Sequence, residues 1–224
     1  VKFVTTHTDQ EEAARLLSKY DFLALPVVDA EERLVGIVTV DDAIDVIQEE
    51  TTEDMEMMAA ISPSDKPYLK TGVFTTWKQR VPWLLLLMIS ATFTSTIIAS
   101  YEGALATSVV LTGFIPMLMD TGGNAGSQSS ITVIRGLSLG EIRYRDVPRL
   151  VGKELCVAVL CGLSLAAANF IKLMLVDRVT LPVAAVVSLT LVCVVLVSNF
   201  VGSVLPVLAK RTGFDPAVMA SPFI

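Results

Sequence analysis

A membrane-length stretch, residues 113–134, is interrupted by groups that a lipid-facing helix does not tolerate. It reads GFIPMLMDTGGNAGSQSSITVI. Polar groups at bilayer depth are costly unless they face protein or a water-filled path. The stretch therefore predicts a helix beside a polar route across a membrane. The residues predicted to line that route are Asp120, Gly122, Gly123, Asn124 and Gln128.

The composition divides the chain into a charged part and an apolar part. Residues 1–80 read as soluble, whereas long apolar runs dominate residues 81–224, and the mean hydropathy of the whole chain is +0.64. The predicted fold is an α-helical polytopic membrane domain preceded by a small α/β module. The net charge of -6 argues against nucleic acid as a partner, because that requires a basic face. Three cysteines in apolar segments are predicted to be buried thiols.

The sequence contains four apolar segments of the length needed to cross a bilayer, about 20 residues per helix, and the start of a fifth. The second is long enough to protrude from the bilayer or to be bent at Pro116, and the fifth is expected to be cut at Ile224. Because Val1 is not an initiator methionine, a longer polypeptide is expected. The segments are 81–101, 104–134, 148–175, 180–208 and a start from 214.

Basic residues fall mostly on one side of these segments. The opposite side receives only Lys172 and Arg178. Since cytoplasmic loops carry an excess of Lys and Arg, the basic side is predicted to be cytosolic. The N-terminal module would then lie inside the cell, below the plasma membrane. The basic side carries Lys78, Arg80, Arg135, Arg143, Arg145, Arg149, Lys153, Lys210 and Arg211.

Residues 1–50 read as strand, helix, strand, turn, strand, helix. The runs Leu25–Asp29 and Gly36–Asp42 resemble the second half of a CBS-domain pair. That resemblance implies a partner module before Val1. It also implies that Thr39 and Asp42 contact ATP or another adenine nucleotide. The alternative is that Thr39 ends a strand and Asp42 caps a helix.

Residues 41–70 predict an acidic connecting helix and a linker, ahead of a membrane domain over 71–224. Like charges four residues apart on a helix repel. A divalent cation that bridges them to another acidic surface would relieve this repulsion, since Mg2+ prefers oxygen ligands. The alternative is a solvated acidic face. The acids at helical spacing are Asp42, Asp45, Glu49, Glu53 and Glu56, with Glu50 and Asp54 beside them.

The membrane half is similar to the MgtE family of magnesium channels and transporters. The similarity lies in Pro116–Ser130, Val133–Leu137, Leu205–Arg211, Asp215–Ala217 and Ser221–Pro222. It implies a homodimer in lipid whose second and fifth helices line a cation path, with its principal acid beyond Ile224. It also implies that cytosolic Mg2+ binds the CBS module and connecting helix and closes the pore. The metal-binding residues implied are Asp21, Asp42, Asp45, Glu50, Glu53, Asp54 and Asp215.

The function expected is therefore Mg2+ transport gated by cytosolic Mg2+. A CBS-regulated anion channel or osmolyte transporter is the alternative, and it requires basic residues within the spans, where Asp120 is the charge available. An enzyme is not expected, because His7 is the only histidine and Asp120 has no second aspartate to pair with. The glycines of the second span have another interpretation, since small residues also let membrane helices touch.

Overall fold

The computed structural model describes residues 2–64, 68–106 and 108–219. These residues form two compact units. The first contains the chain up to Glu56 with residues 63–64, and the second contains residues 57–62 and the chain from residue 68 onward. The motif at Ser221–Pro222 lies outside the described residues.

The first unit is a three-stranded sheet with two helices. Strand β1 pairs in parallel with the central strand β2, and β2 pairs antiparallel with β3. This order of elements confirms the one predicted for residues 1–50. The elements are β1 (Val4–Thr5), α1 (Gln10–Tyr20), β2 (Ala24–Val28), β3 (Leu34–Thr39) and α2 (Val40–Met58).

The core of the first unit lies between α1, β2 and the start of α2. Helix α1 carries Ala13, Ala14 and Leu17 at helical spacing, and these side chains pack with Leu25 of β2 and Ala43 of α2. The polar residues of α1 fall on its other face, so burial of one apolar stripe positions the helix.

Helix α2 begins with a hydrogen-bonded cap formed by Thr39 and Asp42. The Asp42 Oδ2 atom accepts from the Thr39 backbone N–H at 3.0 Å and from the Thr39 hydroxyl at 2.6 Å. A side chain three residues into a helix that accepts from the N-cap N–H is half of a capping box. These bonds stabilise the ionised carboxylate and lower the pKa of Asp42 below its ordinary value.

The second unit contains the apolar helices. Among the described residues, three helical segments are long and apolar enough to cross a membrane: Val73–Ser100, Tyr144–Leu175 and Leu181–Thr212. The count of five spans is not confirmed and stays a prediction. The helices are α3 (Val73–Ser100), α4 (Glu102–Ala106), α5 (Val109–Thr112), α6 (Ile115–Ser138), α7 (Val147–Leu175) and α8 (Leu181–Thr212), with short 3-10 turns at Tyr68–Lys70, Tyr144–Asp146 and Pro216–Met219.

Two expectations about these segments are wrong. Segment 104–134 is divided among α4, α5 and α6, and α6 does not bend at Pro116 because Pro116 stands in its first turn. Proline is tolerated there, since the N–H it lacks would have no partner within the helix. The three cysteines are exposed on the surface of the chain, because the described residues leave those faces of α7 and α8 uncovered.

Helices α6 and α8 approach at the level of their backbones. A Cβ atom built on Gly202 of α8 would lie 2.3 Å from the carbonyl oxygen of Gly126 in α6. A Cβ on Gly122 would lie 2.5 Å from Val194 Cγ1 and 3.0 Å from Ser198 Oγ. Gly122 and Gly126 form a GxxxG spacing, which allows membrane helices to come this close.

The C-terminal end of α6 is held by α8 and α7. Lys210 Nζ donates to the Leu137 carbonyl at 2.9 Å. The positive charge of the lysine also interacts favourably with the negative end of the α6 helix dipole. Beside this contact Val133, Leu137 and Val207 form a buried cluster with the start of α7. The contacts run in the same order along α6 and α8, so these two helices are parallel.

We predict that Gly202→Ala destabilises the second unit by about 1–3 kcal/mol, the range for overpacking a tight core. The added methyl group would meet a backbone oxygen, which cannot rotate away. Thermal unfolding of the purified protein in detergent measures the effect. The control is Gly152→Ala on α7, where nothing lies within 4 Å of the new Cβ. Equal melting temperatures for the two variants would contradict the close approach.

We also predict that Asp42→Ala destabilises the start of α2 and lowers the protection of the Thr39 amide several-fold in hydrogen exchange. Because the pKa of folded Asp42 is lowered, its stabilisation is present above the ordinary aspartate pKa of about 3.9. It is lost as the pH falls through the lower, folded value. Asp41→Ala is the matched control, and the same loss of Thr39 protection in that variant would refute the cap.

Candidate functional site

A polar stripe follows one face of α6. We define it as Asp120, Asn124, Gln128 and Thr132, which stand four residues apart and are all exposed on this chain. Asn124 Nδ2 donates to Asp120 Oδ2 at 3.2 Å, so two members are linked along the helix. With a rise of 1.5 Å per residue the stripe is about 18 Å long, more than half the thickness of a hydrocarbon core.

The opposite face of α6 packs against α8. Gly122 and Gly126 are buried there, followed by Ser129, Ser130 and Val133. The structure therefore puts Gly122, which was predicted to line the route, in the contact between helices. A Cβ atom built on Gly123 would meet nothing within 4 Å, and this residue lies beside the polar stripe. The packing interpretation of the glycine-rich motif therefore holds for Gly122 and Gly126, and the lining of a polar route by the other face of α6 stays a prediction.

Sequence reasoning missed a buried carboxyl group between α6, α7 and α8. Glu154 of α7 is 8% exposed, and Ser129 Oγ lies 2.8 Å from its Oε2 atom. The same hydroxyl lies 3.3 Å from the backbone oxygen of Asn199 in α8. An acid inside the apolar run of 148–175 was the signal available, since ionisable residues within spans are rare and usually functional.

The acidic residues of α2 are spread along the helix. Asp42 and Asp45 are exposed, and Glu50 accepts from Gln10 Nε2 at 2.8 Å. Glu53 and Asp54 are half-buried. Among the described residues no three His, Cys, Asp or Glu side chains converge closely enough to hold a metal ion. A cation on this helix would therefore need ligands from water or from another surface.

The other two predicted metal ligands stand at helix termini. Asp21 ends α1 in the left-handed conformation with φ of 52°, which aspartate tolerates better than most residues. Asp215 Oδ1 accepts from the Ala217 N–H at 2.8 Å and caps the short turn after α8. Both are exposed carboxylates with a local structural role, and their metal binding stays a prediction.

The predicted nucleotide contacts, Thr39 and Asp42, bind each other through the cap of α2. This geometry agrees with the alternative in which Asp42 caps the helix. A nucleotide would have to use the remaining lone pairs of these side chains, and nucleotide binding stays a prediction.

Comparison with known proteins assigns both parts of the chain to families. The model of the MgtE family, described as a divalent cation transporter, matches residues 115–224. The CBS-domain model matches residues 1–49. The first of these families consists of transporters and not of enzymes. Its match begins at the N-terminus of α6 and covers the polar stripe and both glycine contacts.

Three similar proteins carry the name magnesium transporter MgtE. The one from Thermus thermophilus is 42% identical over 231 residues, covering 100% of this chain. Those from Enterococcus faecalis and Bacillus subtilis are each 36% identical and cover 96% of it. The chain spans about half the length of these relatives, since it covers 49%, 47% and 47% of them, respectively. The two family models and the 42% identity over 100% of the chain show that the chain belongs to the MgtE family.

Proposed function

We propose that this chain forms part of a protein that moves Mg2+ across the plasma membrane and that closes when cytosolic Mg2+ is high. The observation that carries the proposal is the polar stripe on α6. A carboxylate, two amides and a hydroxyl are exposed on one side of a helix whose other side is packed. Exposure of these groups to lipid is unfavourable, so the stripe requires water or protein in front of it.

The chemistry of the stripe fits a hydrated divalent cation. Mg2+ releases its waters reluctantly and is usually bound with several of them retained. A path for it needs oxygen atoms that accept hydrogen bonds from those waters, without a closed dry cage. Asp120 supplies negative charge, and the side chains of Asn124 and Gln128 supply carbonyl oxygens one turn apart.

The packing of α6 supports a fixed position for this path. Gly122 and Gly126 bring the back of the helix against α8, and Lys210 ties its last turn to the same neighbour. The stripe therefore stands on a helix held at several points along its length. A rigid support of this kind holds the side chains of the polar stripe in place before an ion binds.

The distribution of charge supports a cytosolic first unit. The C-terminal ends of α6 and α8 meet the start of α7, so Arg135, Arg149, Lys153 and Arg211 gather at one end of the second unit. This is the arrangement that the positive-inside rule associates with the cytosol. The N-terminal unit would then sample internal Mg2+.

Exposed apolar residues support pairing of the first unit with another CBS module. The side chains of Val35 and Ile37 on β3 and of Ile44 and Ile47 on α2 are each between 47% and 62% exposed. Exposed apolar side chains favour burial against a partner. A homodimer in which α6 stripes from both chains face one path agrees with this arrangement.

For the regulatory step, α2 offers ligands of the right chemistry. Its carboxylates repel one another at neutral pH, and Mg2+ bound to them through water would reduce this repulsion. The last residues of α2, Met57 and Met58, belong to the second unit, where they pack against Ile134 and Ala217.

We predict that Asp120→Asn lowers Mg2+ flux several-fold, because the stripe would lose its negative charge while keeping its shape. Flux is measured by a Mg2+ indicator in proteoliposomes that contain the full-length protein. Glu141→Gln is the matched control, since it removes a carboxylate from the loop between α6 and α7. Equal flux in the two variants would argue against the stripe as the path, and flux of anions in place of divalent cations would favour the anion-channel alternative.

We predict that Glu53→Gln combined with Asp54→Asn raises the internal Mg2+ concentration needed for half-inhibition several-fold. The physical reason is that fewer carboxylates are available to bind the regulatory ion, while the path is unaltered. The same liposome assay measures it, with internal Mg2+ varied. Glu12→Gln combined with Glu32→Gln removes two carboxylates of the first unit outside α2 and serves as control. Inhibition that is unchanged by the α2 variants would contradict the regulatory role.

A further inference from the structure

The first turns of α7 carry a row of basic side chains, which we call the basic stripe. It consists of Arg145, Arg149 and Lys153, which stand four residues apart in one helical segment that begins at Tyr144. All three side chains are exposed, and in the part of the chain that the structure describes none of them forms an ion pair. Cations four residues apart on a helix repel one another, so the basic stripe has an unbalanced positive charge.

The carboxylates nearest in sequence do not neutralise the basic stripe. Asp146 Oδ2 accepts from the backbone N–H of Arg143 at 3.2 Å. Glu154 is buried and lies against α6. Residues 141–153 contain four basic and two acidic side chains, so this segment keeps a net positive charge. An anion from outside the chain would relieve the repulsion along the stripe.

The position of Lys153 along α7 matches the boundary between hydrocarbon and lipid headgroups. Lys172 is the next basic residue of this helix, 19 residues later, which corresponds to about 28 Å of helix. The hydrocarbon core of a bilayer is about 30 Å thick. Lys153 and Lys172 therefore stand near its two surfaces, and Arg149 and Arg145 lie one and two turns farther out, at the level of the headgroups.

The same face of α7 continues from the basic stripe as an exposed apolar surface. Val157 stands four residues after Lys153 and Leu160 seven residues after it, and their side chains are 40% and 68% exposed. The opposite face is buried at Ala158 and Gly162. Cations at headgroup level with apolar side chains next to them complement a phospholipid, in which a charged head is followed by acyl chains.

The two ends of α7 differ in how their charges are balanced. At the far end Lys172 Nζ forms an ion pair with Asp177 Oδ2 at 2.7 Å, whereas the basic stripe has no such partner. A zwitterionic lipid carries its own cation, which the stripe repels, and an anionic lipid does not. We propose that the basic stripe binds the headgroup of an anionic phospholipid, with an acyl chain along Val157 and Leu160.

The bound lipid would stabilise the start of α7. Val147 and Leu150, in the same turns as the basic stripe, pack against the buried cluster of Val133, Leu137 and Val207. A headgroup that bridges cations of successive turns would hold these turns in helical form. The inference goes beyond the proposed transport function and does not depend on which ion is moved.

Lipid retention by the full-length protein tests the proposal. The protein in detergent is mixed with equal amounts of phosphatidylglycerol and phosphatidylcholine, and the bound lipids are counted by native mass spectrometry. We expect the wild-type protein to retain several-fold more phosphatidylglycerol. Neutralising the basic stripe should remove most of this preference, whereas a control that loses three cations of the first unit should keep it. The variants are Arg145→Gln with Arg149→Gln and Lys153→Gln, and the control Lys2→Gln with Arg15→Gln and Lys19→Gln.

Three outcomes of this experiment would overturn the proposal. The first is equal retention of the two lipids by the wild-type protein, and the second is the same preference in the stripe variant and in the control. The third is displacement of phosphatidylglycerol by inorganic phosphate at a similar concentration, which would assign the stripe to a free anion. Because Mg2+ is not measured, failure here and failure of the transport proposal are distinguishable.

A label on a native cysteine locates the lipid even if the stripe variant fails to fold. Cys156 is exposed three residues after Lys153, and Cys193 is exposed on α8. Each is labelled with a fluorophore in a protein whose other cysteines are replaced by alanine. Phosphatidylglycerol or phosphatidylcholine with brominated chains then serves as the quencher in the bilayer. We expect the ratio of quenching by the first lipid to quenching by the second to be several-fold higher at Cys156, and equal ratios at the two cysteines would overturn the proposal.

Discussion

Backbone-to-backbone approach between α6 and α8 is the constraint on which the second unit depends. Gly202 lies so close to the carbonyl of Gly126 that no side chain fits between them. Helices in lipid gain little from apolar burial and associate through close van der Waals packing. The contact therefore fixes both the separation of the two helices and the rotation of α6 about its own axis.

That rotation decides which side chains of α6 are available for a ligand. With Gly122 and Gly126 against α8, a residue two positions away is turned by about 200° and faces outward. Asp120, Asn124 and Gln128 consequently form one exposed stripe. One motif therefore provides both the glycines that pack against α8 and the polar side chains of the stripe, and the helical repeat places them on opposite faces of α6. The family match over residues 115–224 begins with this same helix.

Polar groups inside the second unit follow a similar logic on its buried side. Ser129 faces Glu154 and Asn199 across the three-helix junction, where each unpaired donor or acceptor would be costly. In the first unit, hydrogen bonds between residues close in sequence pair the polar groups at the start of α2, as in the cap between Thr39 and Asp42. One carboxyl group in each unit, Asp42 in the first and Glu154 in the second, thus lies within hydrogen-bond distance of a nearby hydroxyl.

The sequence by itself determined the CBS-type order of strands and helices, the long apolar helices and the position of the polar motif, because local periodicity and apolar length encode these features. It allowed a bend at Pro116, but it did not show that a new helix, α6, begins at Ile115 with that proline in its first turn, since the apolar run continues through that point. Only the tertiary structure showed that Gly122 lies on the packed face of α6 and Asn124 on the exposed face. It also showed that Glu154 lies beside Ser129. Which face of a helix is buried, and which distant side chains meet there, depends on the neighbouring helices, and their arrangement is not written in any local pattern.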